Sequence, residues 1–310
     1  MKKLYHNGFH RAQQFLVEVA RPLEQDLFTY HFQGKERDAV LDSLSEFQNE
    51  DGGFGRALEP DLRTPRSSAL ATAIGFYHLA EMDCAPDHPL VEGAVGYLRS
   101  TLDVDKKAWR VVPHGTHDYP HAPWWHDQDG SLEEVFGGFR IIPRALILAS
   151  LHHYPSLVPQ EWLEALTQDT VDTILNADVL GEGGGSDLEY AIALAEAPHL
   201  PEKYTRKLTA RIREAIPEVV VRDPELWDTY CIKPLGIAPR PDALGADLIS
   251  KDIENHLDYV IEHQSSEGCW DPSWSWGENY PQVWPQARRE WRGILTLETL
   301  ISLEAYGRIA

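Results

Sequence analysis

Gln48-Asn49-Glu50-Asp51-Gly52-Gly53-Phe54 and Gln264-Ser265-Ser266-Glu267-Gly268-Cys269-Trp270 share one pattern: glutamine, two variable residues, an acid, glycine, one further residue and an aromatic ring. Glycine at the fifth position supplies the left-handed backbone that ends a helix. The acid can accept backbone N–H groups in the turn, and the ring can plug back between helices. Both copies follow an amphipathic segment. Residues 36–48 put Val40, Leu41, Leu44 and Phe47 on one face, with Glu36, Arg37, Asp38, Asp42 and Glu46 opposite; residues 253–263 repeat this with Ile253, Leu257, Val260 and Ile261. Asn176-Ala177-Asp178, followed by Gly181 and Gly183-Gly184-Gly185, reads as a degenerate third copy.

A second kind of helix alternates with the first. Ala69 to Leu79 carries no charge, nor does Ala145-Leu146-Ile147-Leu148-Ala149-Ser150-Leu151, and Ile294 to Leu303 contains only Glu298. Helices apolar on all sides are buried on all sides, so amphipathic and apolar segments predict an outer and an inner layer. In chain order the pairs are 36–48 with 66–81, 89–102 with 139–153, 160–176 with 186–197, 202–216 with 226–237, and 250–263 with 290–306. A sixth is expected from 8–20 and 22–32, with Pro22 suited to a first helical turn. The expected fold is all-α, an (α/α)6 toroid of alternating outer and inner helices. It forms a single domain over 1–310, interrupted by a long irregular insertion around 103–136.

With 310 residues, 43% apolar and 25% charged, the composition is that of a globular chain able to bury a large core. The net charge of −21 repels phosphate backbones and anionic lipid, which argues against nucleic acid as a partner. Cys84, Cys231 and Cys269 are odd in number and far apart, so neither a disulfide framework nor a Cys-x-x-Cys metal knuckle is expected. No apolar leader follows Lys2-Lys3 and no run approaches the length of a membrane span; a cytoplasmic protein without a transmembrane segment is the expectation.

At the two turns the sequence resembles the α/α-toroid superfamily of terpenoid cyclases (squalene cyclase repeats) and protein prenyltransferases, whose repeats carry a Gln…Gly-x-Trp or Gln-x-x-Asp-Gly-Gly-Phe turn. The resemblance implies the toroid over most of the chain. It is less specific for activity, because the same architecture includes thioester domains and vitamin carriers, and related helical barrels process sugars. In the prenyltransferases, functional residues cluster where the chain leaves such a turn and begins an inner helix. The corresponding stretches here are Glu59 to Ser68, Arg140 with Arg144, Ser186 to Tyr190, Trp227 to Cys231, and Glu290-Trp291-Arg292.

From these stretches Asp61, Asp187, Asp228 and Glu290 are the candidate catalytic carboxylates. Arg63, Arg66 and Arg292 are candidates for an anionic head group, and Trp124, Trp125, Tyr190, Tyr230 and Trp291 for the substrate wall. Helix capping is the competing explanation for each acid. Asp228 with Cys231 partly echoes the zinc site of a prenyltransferase, but the spacing is Asp-x-x-Cys and Glu290 stands where a histidine is needed, so no metal is expected. Neither Asp-x-Asp-Asp nor Asp-Asp-x-x-Asp occurs, and no Cys-Gly-Glu-Gln thioester. His117-x-x-x-His121 could ligate metal from a helix, but Pro113, Pro120 and Pro123 oppose one. The sequence leads to an isoprenoid-handling, terpene cyclase-like enzyme that uses a rim carboxylic acid. Two alternatives stay open, a carbohydrate-active hydrolase or lyase and a non-catalytic binding domain. The substrate is expected to be a small molecule, apolar or sugar-like; cofactor dependence is left unassigned.

Overall fold

A computed structural model describes residues 1–127, 130–181 and 185–310. Among them there are 13 α-helices and no strand. The helices are α1 (His6–Val19), α2 (Pro22–Gln33), α3 (Asp38–Ser45), α4 (Ala69–Glu81), α5 (Pro89–Thr101), α6 (Ser131–Val135) and α7 (Arg144–His153), then α8 (Gln160–Leu175), α9 (Ser186–Ala195), α10 (Glu202–Val219), α11 (Pro234–Ile237), α12 (Ser250–Glu262) and α13 (Trp284–Ala305). No helix among the described residues is long and apolar enough to cross a membrane. The chain packs as two compact units, one of residues 1–43 with 216–310 and one of residues 44–215.

In the unit of residues 44–215, α7 packs against α4, α9 and α8, and α4 also packs against α5. Every residue from Arg144 to His152 is buried, as the unbroken apolar run predicts. By contrast α5 and α8 bury one stripe each, Leu90, Val91, Ala94, Val95 and Leu98 in α5 and Leu163, Leu166, Val171 and Ile174 in α8. The two helix types thus take inner and outer positions in this unit.

In the other unit α13 packs against α1 and α2, so the two ends of the sequence share a core. Leu4 pairs with Ile309, and Arg308, fully buried, donates to the Lys2 carbonyl at 2.6 Å and to Glu254 at 2.9 Å, with Asp258 as a further partner. Residues 8–20 and 22–32, one kinked helix or two by sequence, are two helices, with Pro22 at the first turn of α2. The predicted inner helix 226–237 is absent. A 3-10 turn (Pro224–Leu226) and the four-residue α11 replace it, because Pro234 lacks the N–H that a continuing helix requires.

Each unit contains one copy of the repeated turn, and the copies are hydrogen-bonded alike. Asn49 N–H donates to Gly53 O and Gly52 N–H to Asn49 O; Ser265 N–H donates to Cys269 O and Gly268 N–H to Ser265 O. The Gln48 amide donates to Gly52 O and to Leu90 O in α5, both at 2.9 Å. The Gln264 amide donates to Gly268 O at 2.9 Å and to Gly8 O in α1 at 2.8 Å. Phe54 N–H donates to Thr72 Oγ1 of α4, and Trp270 N–H to Thr296 Oγ1 of α13. The acids differ: Asp51 accepts from Gly53 N–H and Ser67, whereas Glu267 pairs with Arg292. Of the proposed third copy, Gly183 and Gly184 lie outside the described residues.

Gly52 has φ +84° and Gly268 φ +90°. A Cβ on Gly52 would stand 2.4 Å from the Gly93 carbonyl oxygen, and one on Gly268 2.4 Å from the Arg11 carbonyl carbon. Gly34 also has a positive φ, +64°, but nothing within 4 Å of such a Cβ. Gly52→Ala is therefore expected to destabilise by about 3 kcal/mol or more, backbone strain plus overpacking. Gly34→Ala should cost only about 1 kcal/mol. Urea unfolding of the two variants checks this, and equal losses would contradict the close-approach argument.

Candidate functional site

The stretch Glu59 to Ser68 runs from the first turn to α4, and the long irregular stretch lies along it. Arg63 N–H donates to Pro120 O, Ala122 N–H to Asp61 O and Leu70 N–H to Val111 O, with Leu62 bridged to His121. Arg66 fastens the same stretch further along, by a 2.8 Å bond to His114 O. Within 103–136 only short elements form, 3-10 turns at Thr116–Asp118 and Pro123–Trp125 and then α6. Trp109, Val111 and Val112 are buried beneath it, and Trp109 Nε1 donates to Leu98 O at 2.7 Å. The insertion is thus tied to the scaffold by its own backbone.

This pairing buries Glu59, Asp61 and Thr64 on one segment and His121 on the other. Ser68 caps α4 by accepting from Ala71 N–H, and Ser67 donates to Asp51, so these two hydroxyls serve the helix start. Arg63 Nη1 reaches Pro60 O at 3.4 Å. His121 Nδ1 donates to Tyr119 O at 2.7 Å, since a carbonyl can only accept, and Nε2 is then left to accept from His126 Nδ1 at 3.1 Å. The imidazoles stack 5.4 Å apart, and burial is the main cause that holds His121 below the ordinary histidine range. The stacked partner of His121 is therefore His126, five residues on. Trp125 is buried and stacks on Phe136, whereas Trp124 keeps 37% of its surface exposed. Arg110 pairs with Asp127.

At the start of α9, Asp187 Oδ2 accepts from Gly181 N–H at 3.0 Å and Oδ1 from Leu188 N–H at 2.9 Å. Two residues on, half-buried Glu189 is pushed up to about 7, first by burial and then by the Asp187 charge. Near neutral pH Glu189 is therefore partly protonated, the poise that acid–base sites use. Tyr190 follows, half-buried. The sequence placed the acid on Asp187, whereas the environment favours Glu189 for it.

Arg140 and Arg144 occupy the corresponding place before α7. Arg144 is fully buried, donating to Lys107 O at 2.7 Å and Asp169 at 2.8 Å, while Arg140 reaches the same carboxylate at 2.9 Å. Against the opposing effect of burial, the two guanidinium groups hold Asp169 down at about 2. This is an ion-pair clamp between α7 and α8.

The remaining candidates belong to the other unit. Asp228 is exposed and accepts from Tyr259 OH. Tyr230 is 57% exposed, and Cys231 Sγ lies 3.5 Å from Leu226 O. Glu290 does not precede a helix as expected; it lies inside α13, buried, accepting from Gln286 at 3.0 Å. Trp291 packs edge-on against Trp274. Arg292 is engaged by Glu267 at 2.8 Å and Asp271 at 3.3 Å and lies over the Phe15 ring. Its role is to hold the second turn against α13 and α1. Among the described residues no group of three or more His, Cys, Asp or Glu is placed to hold a metal ion. Compared with known proteins, the chain matches no family model, no curated protein and no solved structure.

Two outcomes follow from these ionisations. Folding raises Glu189 from 4.5 to about 7, so ionising it costs stability above pH 7, a cost that fades below about pH 4.5. Glu189→Gln should raise Tm at pH 8 and leave it nearly unchanged at pH 4; a fall at both would refute the shift. Folding lowers Asp169 from 3.8 to about 2, so its contribution is complete above the unfolded value and is lost as pH falls towards 2. Asp169→Ala strands the Arg144 charge and should cost about 3–5 kcal/mol at pH 7 in denaturant titration.

Proposed function

We propose that this chain is an isoprenoid-handling enzyme, built as a closed (α/α)6 toroid of the terpenoid cyclase and protein prenyltransferase kind, in which Glu189 is the rim carboxylic acid that starts the reaction. The observation that carries this reading is the carboxyl pair at the start of α9. Asp187 is fixed by two backbone N–H groups, and beside it Glu189 is raised to about 7, so that a large share of it carries a proton at neutral pH. A protonated carboxyl group can protonate an alkene or an allylic leaving group, which a carboxylate cannot. Tyr190, next in sequence, supplies a ring beside the donor, and ring faces favour the carbocation that follows.

The architectural half of the proposal is supported by the repeated turn, whose two copies use the same amide, glycine and threonine contacts. A second reading, a carbohydrate-active hydrolase or lyase, is favoured by Trp124. Its exposed indole stands two residues from His126, and flat indole faces stack on sugar rings.

Product analysis by mass spectrometry with a panel of prenyl diphosphates and linear polyprenes tests the first reading. Turnover should be fastest below pH 7, and Glu189→Gln should lower it by about 10²–10⁴-fold. Absence of both turnover and thermal shift across the panel overturns it. Cleavage of oligosaccharides with the same sensitivity to Glu189→Gln would establish the second reading instead.

A further inference from the structure

The unit of residues 1–43 with 216–310 contains a second cluster of reactive groups, separate in sequence from the carboxyl pair of α9. Lys233 stands immediately before α11, its backbone extended, and its Nζ donates to Ser273 Oγ at 2.8 Å. Ser273 belongs to the segment that leads from the second turn towards α13. That segment is fixed by Asp271, which accepts from Arg288 at 2.9 Å and meets Arg292 at 3.3 Å. Beside Ser273, Trp274 packs edge-on to Tyr230 at 5.9 Å and to Trp291 at 5.0 Å. Lys233 thus joins two short segments that carry Tyr230 and Trp274, with Trp291 of α13 against Trp274.

Its surroundings set its chemistry. Burial draws the ammonium below the ordinary lysine range, and the negative charges of Asp228 and Cys231 oppose this without cancelling it. From α12, His256 faces the same group; it is buried, stacked edge-on to Trp227 at 4.6 Å, and held down at about 3 by burial and then by Lys233, so it stays neutral. Asp228 is engaged by Tyr259 OH. No carboxylate is hydrogen-bonded to Lys233 among the described contacts; its partner is a neutral hydroxyl. The Trp274 indole N–H is buried and meets no acceptor among the described residues, so it can donate to a ligand oxygen.

We propose that Lys233 is a carbonyl-capturing amine, and that its site takes small aromatic aldehydes and 2-oxo acids, the ring against Tyr230, Trp274 and Trp291 and an oxygen on the Trp274 N–H. The neutral amine attacks the carbonyl carbon and a C–N bond forms. The nitrogen gives up its two protons in turn and the carbonyl oxygen takes up two, so that the C–O bond breaks and the oxygen leaves as water, to give an imine without net oxidation or reduction. Ser273 orients the amine, and the rings exclude water from the imine.

The test is reductive trapping on the wild-type protein at pH 7.5. Benzaldehyde or 4-carboxybenzaldehyde is added with cyanoborohydride, which delivers hydride to the imine carbon, and labelled peptides are mapped by mass spectrometry. Lys233 should be labelled faster than exposed Lys2 and Lys35, because burial lowers its pKa and so raises its free-amine fraction. Trp274→Phe keeps a ring in place and removes the donor. It should slow labelling by the carboxylated aldehyde more than labelling by benzaldehyde, which offers the indole fewer oxygens. Labelling of Lys233 at or below the rate of the exposed lysines overturns the proposal. An unchanged rate for the carboxylated aldehyde in Trp274→Phe overturns the indole's part in it.

Discussion

The glutamine amide that spans two helices is the contact on which the rest of the fold depends. In each copy one Nε2 donates both to the glycine carbonyl of its own turn and to a carbonyl in another helix, α5 for Gln48 and α1 for Gln264. Three residues beyond each of those carbonyls, at Gly93 and at Arg11, the backbone comes so close that only glycine fits opposite. The two copies are therefore in register with their neighbours. A hydrogen bond of this kind contributes about 1 kcal/mol net, so its weight lies in geometry more than in energy. It sets where an outer helix ends and the angle at which the chain turns inward, and the aromatic ring and the threonine then fix the inner helix.

That constraint also determines where chemistry can sit. In the unit of residues 44–215 polar groups collect at the starts of α4, α7 and α9, and each start uses them differently. Ahead of α4 they cap the helix and hold the insertion; ahead of α7 they form the Arg140, Arg144 and Asp169 clamp. At α9 burial and the Asp187 charge raise Glu189 to about 7. The same helix boundary thus yields a cap, a salt bridge or an acid according to what stands opposite.

Much of this was legible from residue order, because it is written in local periodicity. The alternation of amphipathic and apolar segments marked most helices to within a few residues, and Gln-x-x-acid-Gly marked both turns. Thr72 and Thr296 escaped notice because they follow their turns at unequal distances, 18 and 26 residues from the aromatic ring, and a lone hydroxyl in an apolar helix resembles any other. Helix 226–237 was misread since its apolar content outweighed Pro234, which opens the short α11 and does not continue a helix from the residues before it. Lys233 and His256 could not be found by spacing at all. Their properties arise from burial among side chains distant in sequence. Glu189 and Asp187 were both in view, but which of them keeps the proton depends on depth, and depth has no one-dimensional signature.

The sharing of one core by α1, α2 and α13 has a consequence for biosynthesis. Residues 44–215 form a contiguous unit that can fold as soon as it leaves the ribosome. Helix α1 has no such option, because α13, against which it packs, begins 265 positions after α1 ends. At roughly 5–20 residues per second the nascent α1 waits on the order of tens of seconds with Phe15 and Leu16 uncovered. During that interval the part of its apolar face that α13 will cover is a target for chaperones or for misassociation.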